Sequence, residues 1–217
     1  MGSVYGNAAE RSSVVRATEG AQLQLRVARD GALFTAGWYD AHAMEGRLFG
    51  ATMGSVTTPL TFLITAANRP DAWIRVPDGT MILPVSVGVV LEDFAGTDTE
   101  IDLRIAQNDI GNGTSSAATV GPLSLRTDAP ITSNCVARQL ATGDATAETN
   151  PLTIYRHQVS TANAAGNDAA GQLHISREMM SYPVLVGPAT IELFVAATTT
   201  QATGYAWFTW IEFAERS

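Results

Sequence analysis

The end of the chain decides the fold: residues 190–213 are T-I-E-L-F-V-A-A-T-T-T-Q-A-T-G-Y-A-W-F-T-W-I-E-F. β-Branched and aromatic residues dominate this stretch, and Ala202-Thr203-Gly204 supplies a turn, so the pattern predicts two strands, 191–197 and 205–213, joined as a closing hairpin. In the second strand, large apolar side chains occupy both faces. We therefore expect it to be covered on both sides, either by a second sheet and more of its own chain or by another subunit.

The preceding chain has the pattern of short strands separated by turns and polar loops. Alternation is most regular in residues 81–91, where Pro84 predicts a bulge or an edge position, and in residues 100–106, whose charged side chains should face water. Further strands are predicted at residues 22–27, 60–66, 73–76, 131–140, 153–159, 173–175 and 182–186. Without sustained helical periodicity or an internal repeat, these strands predict an all-β, two-sheet antiparallel sandwich, with a jelly roll as the first choice.

The beginning of the chain has a different character from the rest. Residues 1–20 are small and polar and predict an N-terminal arm that becomes ordered only against a partner or its own domain. Residues 32–50 fit either one helical turn or a loop with aromatic anchors. We accordingly divide the chain into an arm with a short extension, residues 1–50, and a jelly-roll domain, residues 51–217.

Composition excludes several classes of function. The net charge is -8 and all 13 basic residues are arginine, dispersed along the chain, which does not fit nucleic-acid binding. The single cysteine, Cys135, excludes an internal disulfide and a cysteine-based zinc cluster, and we expect it to be a small buried residue. Residues 1–20 lack the pattern of a signal peptide and no apolar run is long enough to span a membrane, so we expect a soluble protein without membrane contact.

Few residues suggest chemistry. Asp40, His42 and Glu45 form a carboxylate–histidine–carboxylate group that could hold a divalent ion, although their order is the reverse of the iron-binding facial triad. A polar loop making hydrogen bonds is the alternative, and we favour it. Nucleophile-elbow, phosphate-loop and calcium-loop motifs do not occur. The sequence therefore predicts no catalytic residue, no metal and no cofactor, and hence a protein that is not an enzyme.

The aromatic residues admit two interpretations. They could stack on sugar rings, as in carbohydrate-binding sandwiches, or they could pack in the core and at subunit contacts. Trp207 and Trp210 fall on opposite faces of one strand, which disfavours a platform built from those two residues. The pair Trp38-Tyr39 remains open to a sugar. Packing is the preferred interpretation, and the interface candidates are Tyr205, Trp207, Phe208, Trp210, Trp38 and Tyr39.

Two blocks carry a resemblance to a known group of proteins. Residues 74–84, I-R-V-P-D-G-T-M-I-L-P, and residues 196–205, A-A-T-T-T-Q-A-T-G-Y, followed by Trp210-Ile211-Glu212, resemble small β-sandwich structural proteins of tailed bacteriophage virions. The resemblance implies a jelly roll that serves as a capsid decoration (cement) or minor capsid protein on the virion surface. It further implies a homo-oligomer, commonly a trimer, whose partner is the major capsid protein or another virion protein and whose arm reaches over a neighbour.

Three hypotheses follow from these observations. The first is a non-enzymatic virion structural protein that binds and reinforces a capsid lattice. The second is a carbohydrate- or receptor-binding sandwich of a phage tail or fibre. The third is an enzyme such as a cupin-like oxygenase using His42, which would contain stoichiometric metal.

Overall fold

The computed structural model describes residues 38–62, 69–93, 99–111, 118–140, 146–159, 171–177, 182–197 and 201–214. The predicted arm, the predicted strand at residues 22–27 and most of the predicted strand at residues 60–66 lie outside this part of the chain. Within it, one short helix and thirteen strands occur. They are α1 Trp38–Met44, β1 Leu48–Met53, β2 Leu60–Thr61, β3 Ala72–Val76, β4 Thr80–Asp93, β5 Thr99–Ala106, β6 Ala118–Val120, β7 Leu123–Ser124, β8 Val136–Gln139, β9 Leu152–Val159, β10 Gly171–Ser176, β11 Leu185–Val186, β12 Ala189–Ala197 and β13 Thr203–Ala214.

The strands form two antiparallel sheets packed against each other. The first sheet has the order β10-β4-β13-β1-β7, with β11 beside β4 and β2 beside β13. The second sheet has the order β6-β8-β3-β12-β5-β9. The protein is therefore an all-β, two-sheet sandwich, as the strand pattern predicts.

The connectivity is that of a jelly roll. Eight strands, β1, β3, β4, β5, β9, β10, β12 and β13, pair first with last, second with seventh, third with sixth and fourth with fifth. A long antiparallel hairpin rolled into two facing sheets has this pairing. The other strands are short additions, at the sheet edges and beside β4 and β13.

The predicted closing hairpin is wrong. Strand β12 lies between β3 and β5 in the second sheet, whereas β13 lies between β4 and β1 in the first sheet. Each strand pairs with segments remote in sequence, and the connection between them crosses from one sheet to the other. This crossing places the two strands on opposite sides of the core, whereas a hairpin would place them side by side in one sheet. An interior position for the last strand is confirmed.

The core lies between the sheets and is built from alternate residues. Strand β13 contributes Ala206, Phe208 and Trp210, and the ring of Trp210 stacks on Phe49 of β1 with centroids 6.1 Å apart. The facing residues of β12 are Ile191, Leu193 and Val195. A large apolar side chain stabilises the fold by about 1.5–3 kcal/mol when it is fully buried, so these two strands supply a large part of the stability.

Pro84 marks a bulge. On β13, Thr209 and Trp210 are adjacent, but they pair with Ser86 and Pro84 on β4, which leaves Val85 as the extra residue. Of the two alternatives predicted from Pro84, the bulge is correct, because β4 has neighbours on both sides. The bulge accommodates a residue without an N–H group inside a central strand.

The start of the sandwich lies earlier than predicted. The boundary placed after residue 50 falls inside β1, which pairs with β13 from Leu48 opposite Ile211 to Met53 opposite Ala206. Of the two alternatives for residues 32–50, the helical turn is present, as α1. Within the described residues, no helix has the length and apolar character needed to cross a membrane.

Candidate functional site

The outer face of the first sheet carries an exposed aromatic group. Tyr205 and Trp207 of β13 point away from the core and are half-buried, because they alternate with the core residues of that strand. Trp207 lies opposite Gly88 of β4. A Cβ atom at Gly88 would be only 2.0 Å from Cζ2 of Trp207, so the indole lies directly on the glycine.

Two rings flank this indole. The centroid of His174 on β10 is 5.9 Å from that of Trp207, and the centroid of Tyr205 is 6.4 Å away. The interplanar angles are 35° and 33°, so both rings are tilted relative to the indole. We call Tyr205, Trp207 and His174 the aromatic platform.

The surroundings of the aromatic platform are hydroxyl, glycine and aliphatic residues. Ser86 and Thr209 share a hydrogen bond of 2.6 Å next to Trp207. On the other side of β13 lies Gly50 of β1, against which Leu125 packs. Leu125 is 49% exposed and Leu123, opposite Gly50 on the edge strand β7, is 71% exposed. This face therefore exposes apolar surface.

The outer face of the second sheet has the opposite chemistry. Asp102 on β5 is ion-paired with Arg104 Nε at 2.7 Å and with Arg156 Nη2 at 3.1 Å, and Arg104 lies over the Phe194 ring at 4.4 Å from its centroid. The expectation that both charged residues face water is wrong for Asp102, which is 4% exposed. The two arginine side chains cover it.

Two chain segments cover the same sheet nearby. Residues 107–111 and 146–150, which we call the flap, are joined by hydrogen bonds: Gln107 N to Thr149 O, Thr146 N to Ile110 O, Asn108 Nδ2 to Ala147 O, Thr149 N to Asn108 Oδ1 and Asn150 Nδ2 to Gln107 Oε1. Ile110 packs with Trp73 and Ala106 in a second small apolar cluster. The Arg75–Asp109 ion pair ties the flap to β3. Trp73 is consequently buried on an outer face.

Beneath the flap lies a carboxyl pair. Glu192 on β12 is completely buried, and the side chain of Glu148 from the flap is 10% exposed. Burial, followed by the neighbouring carboxyl group of Glu148, raises the pKa of Glu192 to about 9, although Arg104 opposes the shift. Glu192 is therefore protonated at neutral pH.

The residues weighed as a metal group form an ion-paired cluster instead. Glu45 Oε2 lies 3.0 Å from Arg47 Nε and 3.5 Å from His42 Nδ1, whereas Asp40 is exposed. The guanidinium of Arg47 lies over the Phe213 ring, 5.5 Å from its centroid. Arg47 thus supplies the positive charge beside Glu45. Among the described residues, no group of three or more His, Cys, Asp or Glu side chains could hold a metal ion.

A shallow depression of about 260 Å³ lies next to this cluster. Its lining includes Glu212 of β13, which accepts hydrogen bonds from Ser133 Oγ at 2.6 Å and Asn134 N at 2.9 Å. These bonds hold Ser133 and Asn134 against β13 outside any strand, and the predicted strand at 131–140 is limited to β8. Burial and the charge of Glu212 raise the pKa of Cys135, so this buried thiol stays protonated.

The six interface candidates fall into three groups. Phe208 and Trp210 are corrected by the structure, because both are buried in the core and cannot contact a partner. Tyr205 and Trp207 form the aromatic platform, on the opposite face. Tyr39 is half-buried on α1, and the side chain of Trp38 is outside the described residues.

Sequence reasoning missed His174 and Gly88. A glycine inside a long β-branched strand signals close approach of another group, but only the register of β4 and β13 shows that the group is Trp207.

Comparisons with protein-family models, with curated proteins and with solved structures give no match to the chain. The candidate site is accordingly defined by the geometry of the aromatic platform and by the contrast between the two outer faces.

Proposed function

We propose that the protein is a non-enzymatic virion structural protein, a capsid decoration or minor capsid protein that binds a capsid lattice as an oligomer, with a trimer favoured. The difference between the two outer faces carries this proposal. One face presents the half-buried Tyr205 and Trp207 and the exposed Leu123, while the other is covered by ion pairs and the flap. The first sheet is the face that a partner would contact.

Interface chemistry supports this choice of face. The central parts of protein interfaces are depleted in charge and enriched in Trp and Tyr, which often anchor binding. Trp207 is held in place by Gly88 below and two rings beside it, so little side-chain entropy is lost on association. The jelly roll adds support, since capsid domains share this architecture with lectins and cupins.

Particle binding tests the proposal. Trp207→Ala should lower occupancy on capsids and reduce the oligomer mass measured by native mass spectrometry. An anchor tryptophan costs at least about 2 kcal/mol when truncated, roughly a thirtyfold loss of affinity. His157→Ala is the control, because His157 is an exposed histidine beside Tyr155 on the edge strand β9 of the other sheet. Equal occupancy of the Trp207→Ala and His157→Ala variants would reject the first sheet as the contact face.

The predicted N-terminal arm is tested separately. If it reaches over a neighbour, residues 21–217 should occupy particles less fully than the whole chain. Equal occupancy would remove the arm from the proposal without affecting the aromatic platform.

A carbohydrate-binding module is the second candidate, and the aromatic platform favours it. The exposed face of an indole can stack on the apolar face of a sugar ring, and His174 beside it offers a hydrogen-bonding edge. A glycan array with the wild type and Trp207→Ala distinguishes the candidates. Reproducible sugar binding that Trp207→Ala abolishes supports this second function, whereas loss through Trp38→Ala would place a sugar at α1 instead.

A further inference from the structure

Glu192 is buried without a hydrogen-bond donor. It lies in the middle of β12, between Trp73 of β3 and Arg104 of β5 in the sheet register. Neither of its carboxyl oxygens has a hydrogen-bond partner, although about 90% or more of buried polar groups in proteins have one. A carboxylate has only acceptor oxygens. What this site lacks is therefore a donor.

Glu148, in the flap above Glu192, also lacks a hydrogen-bond donor. Its Oε1 atom also has no hydrogen-bond partner and lies 3.6 Å from Arg104 Nη1, beyond hydrogen-bond distance. Arg104 is held back by Asp102, which accepts from Nε at 2.7 Å. Two carboxylates side by side repel each other, but one proton turns one of them into a donor to the other. A single proton thus forms one hydrogen bond that serves one oxygen of each carboxyl group.

Other charged groups surround the carboxyl pair. The charged residues that face the pair or lie next to it come from four parts of the chain. They are Asp102 and Arg104 on β5, Arg138 on β8, Arg75 on β3 and Asp109 in the flap. The arginines supply hydrogen-bond donors only, and the two aspartates are ion-paired with arginines. Protonation of the carboxyl pair is therefore what could make the flap respond to pH.

We propose that one proton shared by Glu148 and Glu192 holds the flap closed over Trp73, so that the flap is a latch controlled by proton concentration. When the flap is closed, the pair keeps its proton. When it is open, Glu192 is hydrated and its pKa returns to the ordinary glutamate value of about 4.3. Between that value and the pKa of about 9 in the closed state, opening releases one proton. The opening equilibrium constant then rises tenfold for each pH unit.

Amide hydrogen exchange in the full-length protein measures this opening. The Gln107 and Thr146 amides donate to the opposite segment of the flap, and their protection factors are corrected for the intrinsic effect of pH. We expect a tenfold fall in protection per unit between pH 6 and pH 8. Low concentrations of denaturant should leave these two amides unchanged, since a local opening exposes little surface, while amides of β13 become less protected.

Two variants and a control test whether the carboxyl pair controls the opening of the flap. Glu192→Gln retains the shape and removes the titration, so its flap protection should be independent of pH. Glu148→Gln supplies an amide donor to Glu192, so it should also lose the tenfold slope, and it serves if Glu192→Gln folds poorly. Glu92→Gln, an exposed position on the first sheet, should behave as the wild type. A slope that persists in both variants, or a flat wild-type profile, overturns the latch.

Discussion

The indole of Trp207 lies on Gly88 so closely that no larger residue fits beneath it. Gly88→Ala should therefore displace Trp207 from the aromatic platform and destabilise the fold by about 1–3 kcal/mol, as expected for overpacking. Urea unfolding measures the loss, and tryptophan fluorescence reports the displaced ring. Gly121→Ala is the matched control, because a Cβ at Gly121 meets no atom within 4 Å. A Gly88→Ala protein as stable as that control would show that the contact is not present.

The two tryptophans of β13 should differ in what they contribute to stability. Trp210 is 1% exposed and stacks on Phe49, so Trp210→Ala should cost about 3–5 kcal/mol of unfolding free energy. Trp207 is half-buried, so Trp207→Ala should cost distinctly less while removing partner or sugar binding. Chemical denaturation of both variants gives the comparison. Equal losses would contradict the assignment of the two residues to core and surface.

Glu212 should stabilise the fold through the hydrogen bonds that its buried carboxylate accepts. Its carboxylate accepts from Ser133 Oγ and Asn134 N while 7% exposed, so Glu212→Ala leaves two donors without their acceptor and should cost about 1–3 kcal/mol. Glu100→Ala breaks an exposed ion pair with Arg156 and should cost at most about 1 kcal/mol. Thermal unfolding ranks the two variants. The reverse ranking would be evidence against the role of Glu212.

The contributions of Asp109 and Glu192 to folding stability should change with pH in opposite directions. Burial raises the pKa of Asp109, but hydrogen bonds from Arg75 and Gly111 and the charge of Arg75 outweigh it, so the pKa is lowered overall. Its contribution is present above the ordinary aspartate pKa and is lost as pH falls through the lower pKa of the folded state.

Asp109→Asn should consequently lower stability at pH 7, by about 1 kcal/mol for a partly exposed ion pair. The difference from the wild type should vanish in strong acid. Urea unfolding at pH 7 and pH 3 tests this. Asp128→Asn should show the same sign with a smaller loss, because the hydrogen bond from Arg126 also lowers the pKa of Asp128 but this pair is exposed. A difference that grows on acidification would contradict the lowered pKa of Asp109.

Most of the strands could be predicted because their signal is local. The alternation of residues 81–91 and 100–106 became β4 and β5, and Pro84 indicated the bulge, since a side-chain period of two and a missing N–H act within a few residues. The opposite faces of Trp207 and Trp210 followed from the same period. The pairing of the strands could not be predicted in this way, and the hairpin expected between β12 and β13 was wrong.

In the candidate site, too, local features could be predicted from the sequence whereas contacts between distant segments could not. Tyr205 and Trp207 were predictable as side chains on one face of a strand, but the addition of His174 required the pairing of β4 with both β10 and β13. The burial of Asp102 and Glu192 could not be read from a strand whose charged residues alternate with apolar ones. It depends on Arg156 and on the flap, which come from distant parts of the chain.

Most strand positions and the placing of Trp207 and Trp210 on opposite faces of one strand were determined by the order of the amino acids alone, because each reflects the backbone geometry of a few neighbouring residues. The alternation of short strands and turns also predicted the two-sheet class. The jelly-roll order, the seat of Trp207 on Gly88 and the enclosure of Glu192 beneath Glu148 were decided only by the tertiary structure. Each of these depends on which distant strands and segments meet, and that is set by how the whole chain buries its apolar surface.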